Sequence, residues 1–194
     1  MNRRLFCLVC AVATFGFTAT AWAQGPEAFV KAKQEELVSI LRAGGPEEDK
    51  KVEAIFNTML DYDALAQLSL DKHWSEISES ERAEFTGVLK KLVQRAYRKN
   101  IKKTLNYEIS YKGEGQANKG QLVRTVARNK DKPREQPVSV DYVLHQVGGQ
   151  WRIFDVVTEG SSMVMNYRNQ FGRIIKKNGF AELLRKMKSK AETD

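Results

Sequence analysis

From Tyr107 to Thr158 apolar and polar residues tend to alternate, whereas on both sides of that window apolar residues recur every three or four positions. Period two marks strands with one covered face; the longer period marks amphipathic helices. All strand-like segments are therefore consecutive and bracketed by helical ones, with no internal repeat and no low-complexity linker. Consecutive strands joined by short turns pair antiparallel. The order predicts an α+β fold: a curved four-stranded antiparallel sheet with helices packed on one face.

Within the window, Tyr107, Ile109 and Tyr111 alternate with polar neighbours, and Gly113 to Gly120 reads as a turn-rich connection. Leu122 to Ala127 is a second strand, followed by a polar connection holding Pro133 and Pro137. Val138, Val140, Tyr142 and Leu144 form a third, and Gly148-Gly149 a hairpin turn. Trp151 to Thr158 carries apolar residues on both faces, which predicts a central place in the sheet.

Upstream, Pro26 suits a first helical turn, with Phe29, Leu37, Ile40 and Leu41 following, and Gly44-Gly45-Pro46 ends that helix. A second helix from Glu48 to Leu60 presents Val52, Ile55, Phe56 and Met59 as one stripe. Asp61 or Asp63 can cap a short helix carrying Leu65, Leu68 and Leu70. Ser78 and Glu81 make a capping box that opens the longest helix, Glu79 to Thr104, roughly 36 Å or more at about 1.5 Å per residue. Its apolar face holds Phe85, Val88, Leu89, Leu92, Val93, Ala96 and Tyr97, and its other side is rich in Lys and Arg. After the strands, Ser161 or Ser162 caps a helix with Val164, Tyr167, Phe171 and Ile174, and Gly179 ends it. A last short helix carries Phe180, Leu183, Leu184 and Met187, and the tail from Lys188 is expected to fray.

Compartment follows from the N-terminus. Arg3 and Arg4 precede an almost uncharged apolar run from Leu5 to Thr20, too short to span a bilayer comfortably, and Ala21-Trp22-Ala23 offers a cleavage site. Residues 1–23 read as a secretory signal peptide and residues 24–194 as a single domain. Both cysteines, Cys7 and Cys10, lie in that signal, so the exported chain enters an oxidising compartment without disulfides. The net charge of +8 loses only Arg3 and Arg4 on cleavage. A basic protein outside the cytoplasm meets anionic lipid headgroups and acidic protein surfaces rather than nucleic acid.

Motifs for catalysis are missing from residues 24–194: no HExxH, CxxC, GxSxG or P-loop, and neither His73 nor His145 has a neighbour at metal spacing. Asp155, between Phe154 and Val156, is expected to be at least partly buried and to need Arg152, Arg168 or a tyrosine as partner. Buried and paired it is an anchor; with a raised pKa it would be the general base of a small α+β enzyme acting on an apolar substrate. The basic side of the long helix is a solvated face or, through Lys90, Lys91 and Arg98, a docking surface for acidic partners.

Four segments in fixed order carry a family resemblance: Val138 to Tyr142, then Gly148 to Val156 (GGQWRIFDV), then Glu159 to Ser162, then Asn166 to Phe171 (NYRNQF). With His73-Trp74, Ser78 to Phe85 and Tyr97 upstream, the chain resembles the MlaC, or toluene-tolerance, family over nearly all of residues 24–194. The resemblance implies a periplasmic phospholipid carrier with acyl tails in an apolar pocket between sheet and helices. It implies exchange with an inner-membrane ABC transporter complex and an outer-membrane lipoprotein–porin complex, transient contact with membrane surfaces, maintenance of outer-membrane lipid asymmetry, and no cofactor beyond the bound lipid. Some relatives are linked to hopanoids, which leaves a hopanoid-related lipid as alternative cargo. Ser161 stands where the family often has an aliphatic residue. The residues expected to contact or border the tails are Leu89 and Leu92 on the long helix, Val140, Tyr142 and Leu144 on the third strand, Trp151, Phe154 and Val156 on the fourth, then Ser161 and Val164. Exposing each methylene to water costs about 0.8 kcal/mol, so ten cost roughly 8 kcal/mol and an uncovered lipid cannot cross an aqueous space.

Overall fold

The computed structural model describes residues 25–193; the expected signal, residues 1–23, lies outside the described residues. These form six α-helices and one five-stranded antiparallel sheet of order β1-β2-β3-β4-β5. No helix among the described residues is long and apolar enough to cross a membrane.

Helix α1 (Pro26–Ala43) starts with Pro26 in its first turn, and at its end the Gly44 amide donates to the Ile40 carbonyl. Helix α2 (Glu48–Met59) buries Val52, Ile55 and Phe56. The chain then touches the sheet: Leu60 bridges Ile153, and the Asp61 amide donates to the Ile153 carbonyl at 2.8 Å. The Asp61 side chain caps α3 (Tyr62–Leu70) by accepting from the Ala64 amide at 2.9 Å. After a 3₁₀ turn, Asp71–Trp74, the Ser78–Glu81 capping box opens α4 (Glu79–Asn100).

The long helix ends earlier than Thr104. Ile101–Asn106 tightens into a 3₁₀ run in which the Thr104 hydroxyl donates to the Ile101 carbonyl at 2.5 Å. A side chain that bonds back to the backbone competes with the α ladder, and here it turns the chain directly into the sheet.

The strands are β1 (Tyr107–Ala117), β2 (Gly120–Asn129), β3 (Val138–Val147), β4 (Gln150–Thr158) and β5 (Ser161–Ser162). Three expectations about the sheet change. The sheet has five strands rather than four, because Ser161 and Ser162 pair with Thr158 and Val157 before the next helix begins. The stretch from Gly113 to Gly120 is mostly strand, not loop. The register between β1 and β2 shifts between Tyr111 and Glu114, and Gly113, at φ +90, absorbs the shift as a bulge. Strand β4 is next to last rather than central. Beyond it lie only the two residues of β5 and the Leu60 bridge. Its apolar residues on both faces are accounted for by α2, α3 and α5, all of which pack against it.

Ser162 caps α5 (Met163–Asn178), and Gly179 separates it from α6 (Phe180–Glu192). The C-terminal segment is helical to Glu192, where fraying was expected from Lys188. Arg95 of α4 explains it: the guanidinium donates to the carbonyls of Lys190 at 3.0 Å, Ala191 at 3.4 Å and Thr193. These are the orphan acceptors of a helix end, and a cation there also opposes the helix dipole. Helices α3 to α6 pack together around Phe85, Leu65, Leu89 and Leu183, all 2 % exposed or less. Phe85 and Phe171 meet edge to face at 5.6 Å. Burying each such side chain contributes about 1.5–3 kcal/mol, so this four-helix packing is a dry, stable base.

Candidate functional site

The helices do not close uniformly on the sheet. Between α1 and the sheet lies a cavity of about 720 Å³. Ligand sites commonly span about 300–1,000 Å³. One wall is α1, whose Val30, Gln34, Leu37 and Val38 face it; the opposite wall is Ile109 and Tyr111 of β1, Tyr142 of β3 and Val156 of β4. The strand register makes that wall continuous, since Val123, Tyr142 and Val156 stand opposite one another across three strands. Phe56 of α2 and Tyr97 of α4 stack at 4.9 Å and line the cavity with Ile101 and Ile153.

Two contacts tie α1 to β1. The Tyr111 hydroxyl donates to the Gln34 amide oxygen, and the Glu27 amide donates to the Glu114 carboxylate at 2.9 Å. Three of the lining tyrosines, Tyr97, Tyr111 and Tyr142, are neutral by a wide margin. Burial pushes the phenols of Tyr111 and Tyr142 up to about 12 and raises that of Tyr97 still further. The inner surface therefore offers ring faces and methyl groups, while charged side chains, Lys31, Lys33, Glu35 and Arg42, sit on α1.

Of the residues expected to border a ligand, Tyr142 and Val156 line this cavity. Leu89 and Leu144 are wholly buried in the core, Val164 is buried at the start of α5, and Leu92 and Trp151 are half-buried against the core. Val140 is half-buried opposite Thr158 on β3. Phe154 lines a separate depression of about 350 Å³ with His145, Leu68 and Lys119. Ser161 is exposed and accepts from Asn166 at 3.0 Å. The sequence reading did not single out Val30, Gln34, Val38 or Met59 as lining residues. A signal existed: Val30 and Val38 are apolar positions on α1 beyond the four first assigned to its stripe.

Asp155 has different partners from those expected. It is 8 % exposed, accepts the Ser162 hydroxyl at 2.5 Å on one oxygen, and accepts the Val164 amide at 3.0 Å on the other. Arg168 turns instead to the Leu68 carbonyl, through Nε at 3.0 Å and Nη2 at 2.9 Å. A carboxylate at the first turn of a helix satisfies an orphan amide and favours the dipole, so Asp155 fastens β4 to α5. His145 Nε2 lies 2.7 Å from Asp61 Oδ2. Among the described residues no group of three or more His, Cys, Asp and Glu could hold a metal ion.

The three basic residues expected to dock partners point differently. Lys90 lies over the Tyr62 ring at 5.4 Å, Lys91 is exposed, and Arg98 is 3.9 Å from Glu53 of α2.

The family model for the MlaC protein matches residues 31–189, which hold every strand and most of α1. The chain belongs to the MlaC family. Seven solved chains are similar to it. One is a phospholipid-binding protein from Ralstonia solanacearum, solved in complex with a phospholipid; it superposes with a TM-score of 0.72 at 21% identity, covering 88% of this chain and 100% of that one. At that identity the likeness establishes that this MlaC-family chain shares the fold. No curated protein sequence matches it significantly.

Proposed function

We propose that this MlaC-family chain is a periplasmic phospholipid-binding carrier, a single domain of residues 24–194 released from a signal peptide at Ala23, which holds acyl tails in the cavity between α1 and the sheet. The observation that carries the reading is a cavity of about 720 Å³ whose inner walls are aromatic and aliphatic. Family membership and the fold shared with a protein crystallised with a phospholipid support it. Each methylene withdrawn from water stabilises the complex by about 0.8 kcal/mol, which suffices for carriage without covalent chemistry. Binding, not catalysis, is the activity: Asp155 is occupied at both oxygens in fastening α5. In this reading the carrier exchanges lipid with an inner-membrane ABC transporter and an outer-membrane lipoprotein–porin complex, and Tyr142 and Val156 contact the tails. Of the other residues named from sequence, Leu89, Leu144 and Val164 are buried in the core, Phe154 lines the other depression, and Ser161 is at the surface.

Native mass spectrometry of the protein taken from bacterial periplasm, with lipid identification in a solvent extract, tests this directly. Added masses matching phospholipids are expected. Hopanoid-sized adducts would keep the carrier and change its cargo. A bare protein mass that persists after incubation with liposomes would overturn the reading.

A further inference from the structure

We infer that the face of the sheet turned away from the lipid cavity is, at its β3–β4 hairpin end, a docking surface for an acidic segment of a partner protein. An aromatic side chain of that segment sits in the depression lined by Phe154 and His145. The inference rests on the carrier reading above in taking cargo to be handed between proteins, and concerns where a partner is held.

Strand geometry separates this surface from the cavity. Tyr142 and Ile153 line the cavity, and side chains alternate along a strand. His145, three residues beyond Tyr142, and Arg152, next to Ile153, therefore point to the other face, where the register sets them directly opposite each other. Val147, two residues after His145, shares that face. The register shift makes Phe154 the extra residue of a bulge, because Val143 stands opposite Asp155 and Leu144 opposite Ile153. The Phe154 ring meets the His145 ring at 4.8 Å. The β1–β2 turn closes over the same spot: a Cβ on Gly120 would stand 3.2 Å from the Phe154 ring, and Lys119 is the residue before it. Helix α3 supplies the remaining wall through Ala64, Gln67, Leu68 and Asp71. The enclosed space, about 350 Å³, lies at the lower end for ligand sites and suits one large side chain.

The chemistry of this face names its occupant. The floor of the depression is aromatic and aliphatic, and apolar surface continues past it to Val147, which is 49 % exposed and one of two large apolar side chains so open among the described residues. The carboxylates at the depression are matched: Asp71 by Arg168 at 3.5 Å, and Asp61 by His145 at 2.7 Å. The cations are not, since among the described residues neither Lys119 nor Arg152 has a carboxylate in contact. A lone exposed valine or a lone unpaired lysine says little in a basic protein; here socket, valine and two uncompensated cations share one face. Protein interfaces bind through buried aromatic anchors within a polar rim, and two unmatched cations select a carboxylate-bearing partner over a basic one. The basic side of α4 is engaged elsewhere, with Lys90 over the Tyr62 ring and Arg98 beside Glu53.

Amide NMR of the isotope-labelled protein, titrated with the peptide acetyl-Asp-Phe-Asp-amide, tests the surface. Shifts centred on Lys119, His145, Val147, Arg152 and Phe154 are expected. The neutral peptide acetyl-Asn-Phe-Asn-amide should bind roughly tenfold more weakly, the size expected for two lost exposed ion pairs. Lys119→Gln with Arg152→Gln should weaken the acidic peptide by a similar factor, and so should salt at about 0.5 M. Lys176→Gln with Lys177→Gln removes the same charge from α5 and should leave binding as in the parent protein. Absent shifts, shifts centred elsewhere, equal binding of the neutral peptide, or equal weakening by both pairs of substitutions would overturn the inference. Movement of the same resonances on dilution of the protein alone would make the occupant a second copy, and movement with phosphatidylglycerol vesicles in place of the peptide would make it a membrane; either would overturn it. Phospholipid adducts in native mass spectra of the same samples test the carrier reading separately: their absence rejects that reading, and loss of peptide binding with adducts present rejects this inference alone.

Discussion

Single residues here do two kinds of work, and both can be measured. Asp155 holds the start of α5 against β4 through the Ser162 hydroxyl and the Val164 amide. Asp155→Ala leaves a buried amide without an acceptor and should cost about 2–4 kcal/mol in urea denaturation; Asp155→Asn, which retains one acceptor oxygen, should cost less. An unchanged denaturation midpoint in the alanine variant would remove the anchoring role. The tyrosines give a pH dependence. In the unfolded chain their phenols ionise near the ordinary value of 10.0, whereas Tyr111 and Tyr142 hold their protons to about 12 when folded. Their contribution to stability is complete below pH 10 and is lost as pH rises from 10 toward 12. Tyrosinate absorbance should consequently rise together with loss of near-UV circular dichroism. Ionisation of these rings in a still-folded protein would contradict their burial.

Among the elements, those with local causes could be read from the chain, and those that depend on pairing could not. The Ser78–Glu81 capping box, the Asp61 cap and the Gly148-Gly149 turn need only neighbouring residues, and each lies where the spacing puts it. Strand β5 is two residues long and exists only because Val157 and Thr158 are beside it. The Gly113 bulge looks like a loop until a partner strand supplies its register. Helix α6 outlasts its own polar sequence because Arg95, nearly a hundred residues upstream, reaches its last carbonyls. Periodicity also records only that a side chain turns from water. It separates neither Leu89, packed solidly, from Val156, which borders a space, nor either from a residue such as Phe154 on another depression. Sequence alone therefore puts the cavity beside Leu89 and Leu92 of the long helix, whereas the structure puts it beside α1. Gly120 gives an element-level test. It sits at φ +135, and a Cβ there would come 2.3 Å from the Leu144 carbonyl oxygen. Gly120→Ala must shift β2 away from β3, with an expected loss of about 3 kcal/mol or more. A melting temperature equal to that of the parent protein would show that the sheet yields there without cost.

At the scale of the whole molecule, a packed helical base carries a sheet over which α1 is laid as a separate wall. The packed part consists of α3 to α6, and the space lies on the α1 side. Lipid should therefore protect the two regions unequally. On loading, amide hydrogen exchange should slow in α1 and in β1, while α4 and α6 change little. Uniform slowing would mean that cargo stabilises the fold globally and not by closing this wall. Val38→Glu puts a charge into the cavity from an exposed helix, so lipid recovery should drop sharply while far-UV circular dichroism is retained. Full recovery in that variant would move the tails elsewhere.

The place of α1 in the chain has a consequence for assembly. The helix that walls the cavity is the first of the described elements, and two of the strands opposite it, β3 and β4, come about a hundred residues later. A chain that emerges N-terminus first presents the apolar side of α1 before its counterpart exists. Contacts of such long sequence separation form slowly, and until they do the apolar side of α1 is open to anything greasy nearby. In the carrier reading, newly exported chains should thus be at their stickiest just before the sheet is complete, when a chaperone, or the first lipid itself, is the natural cover.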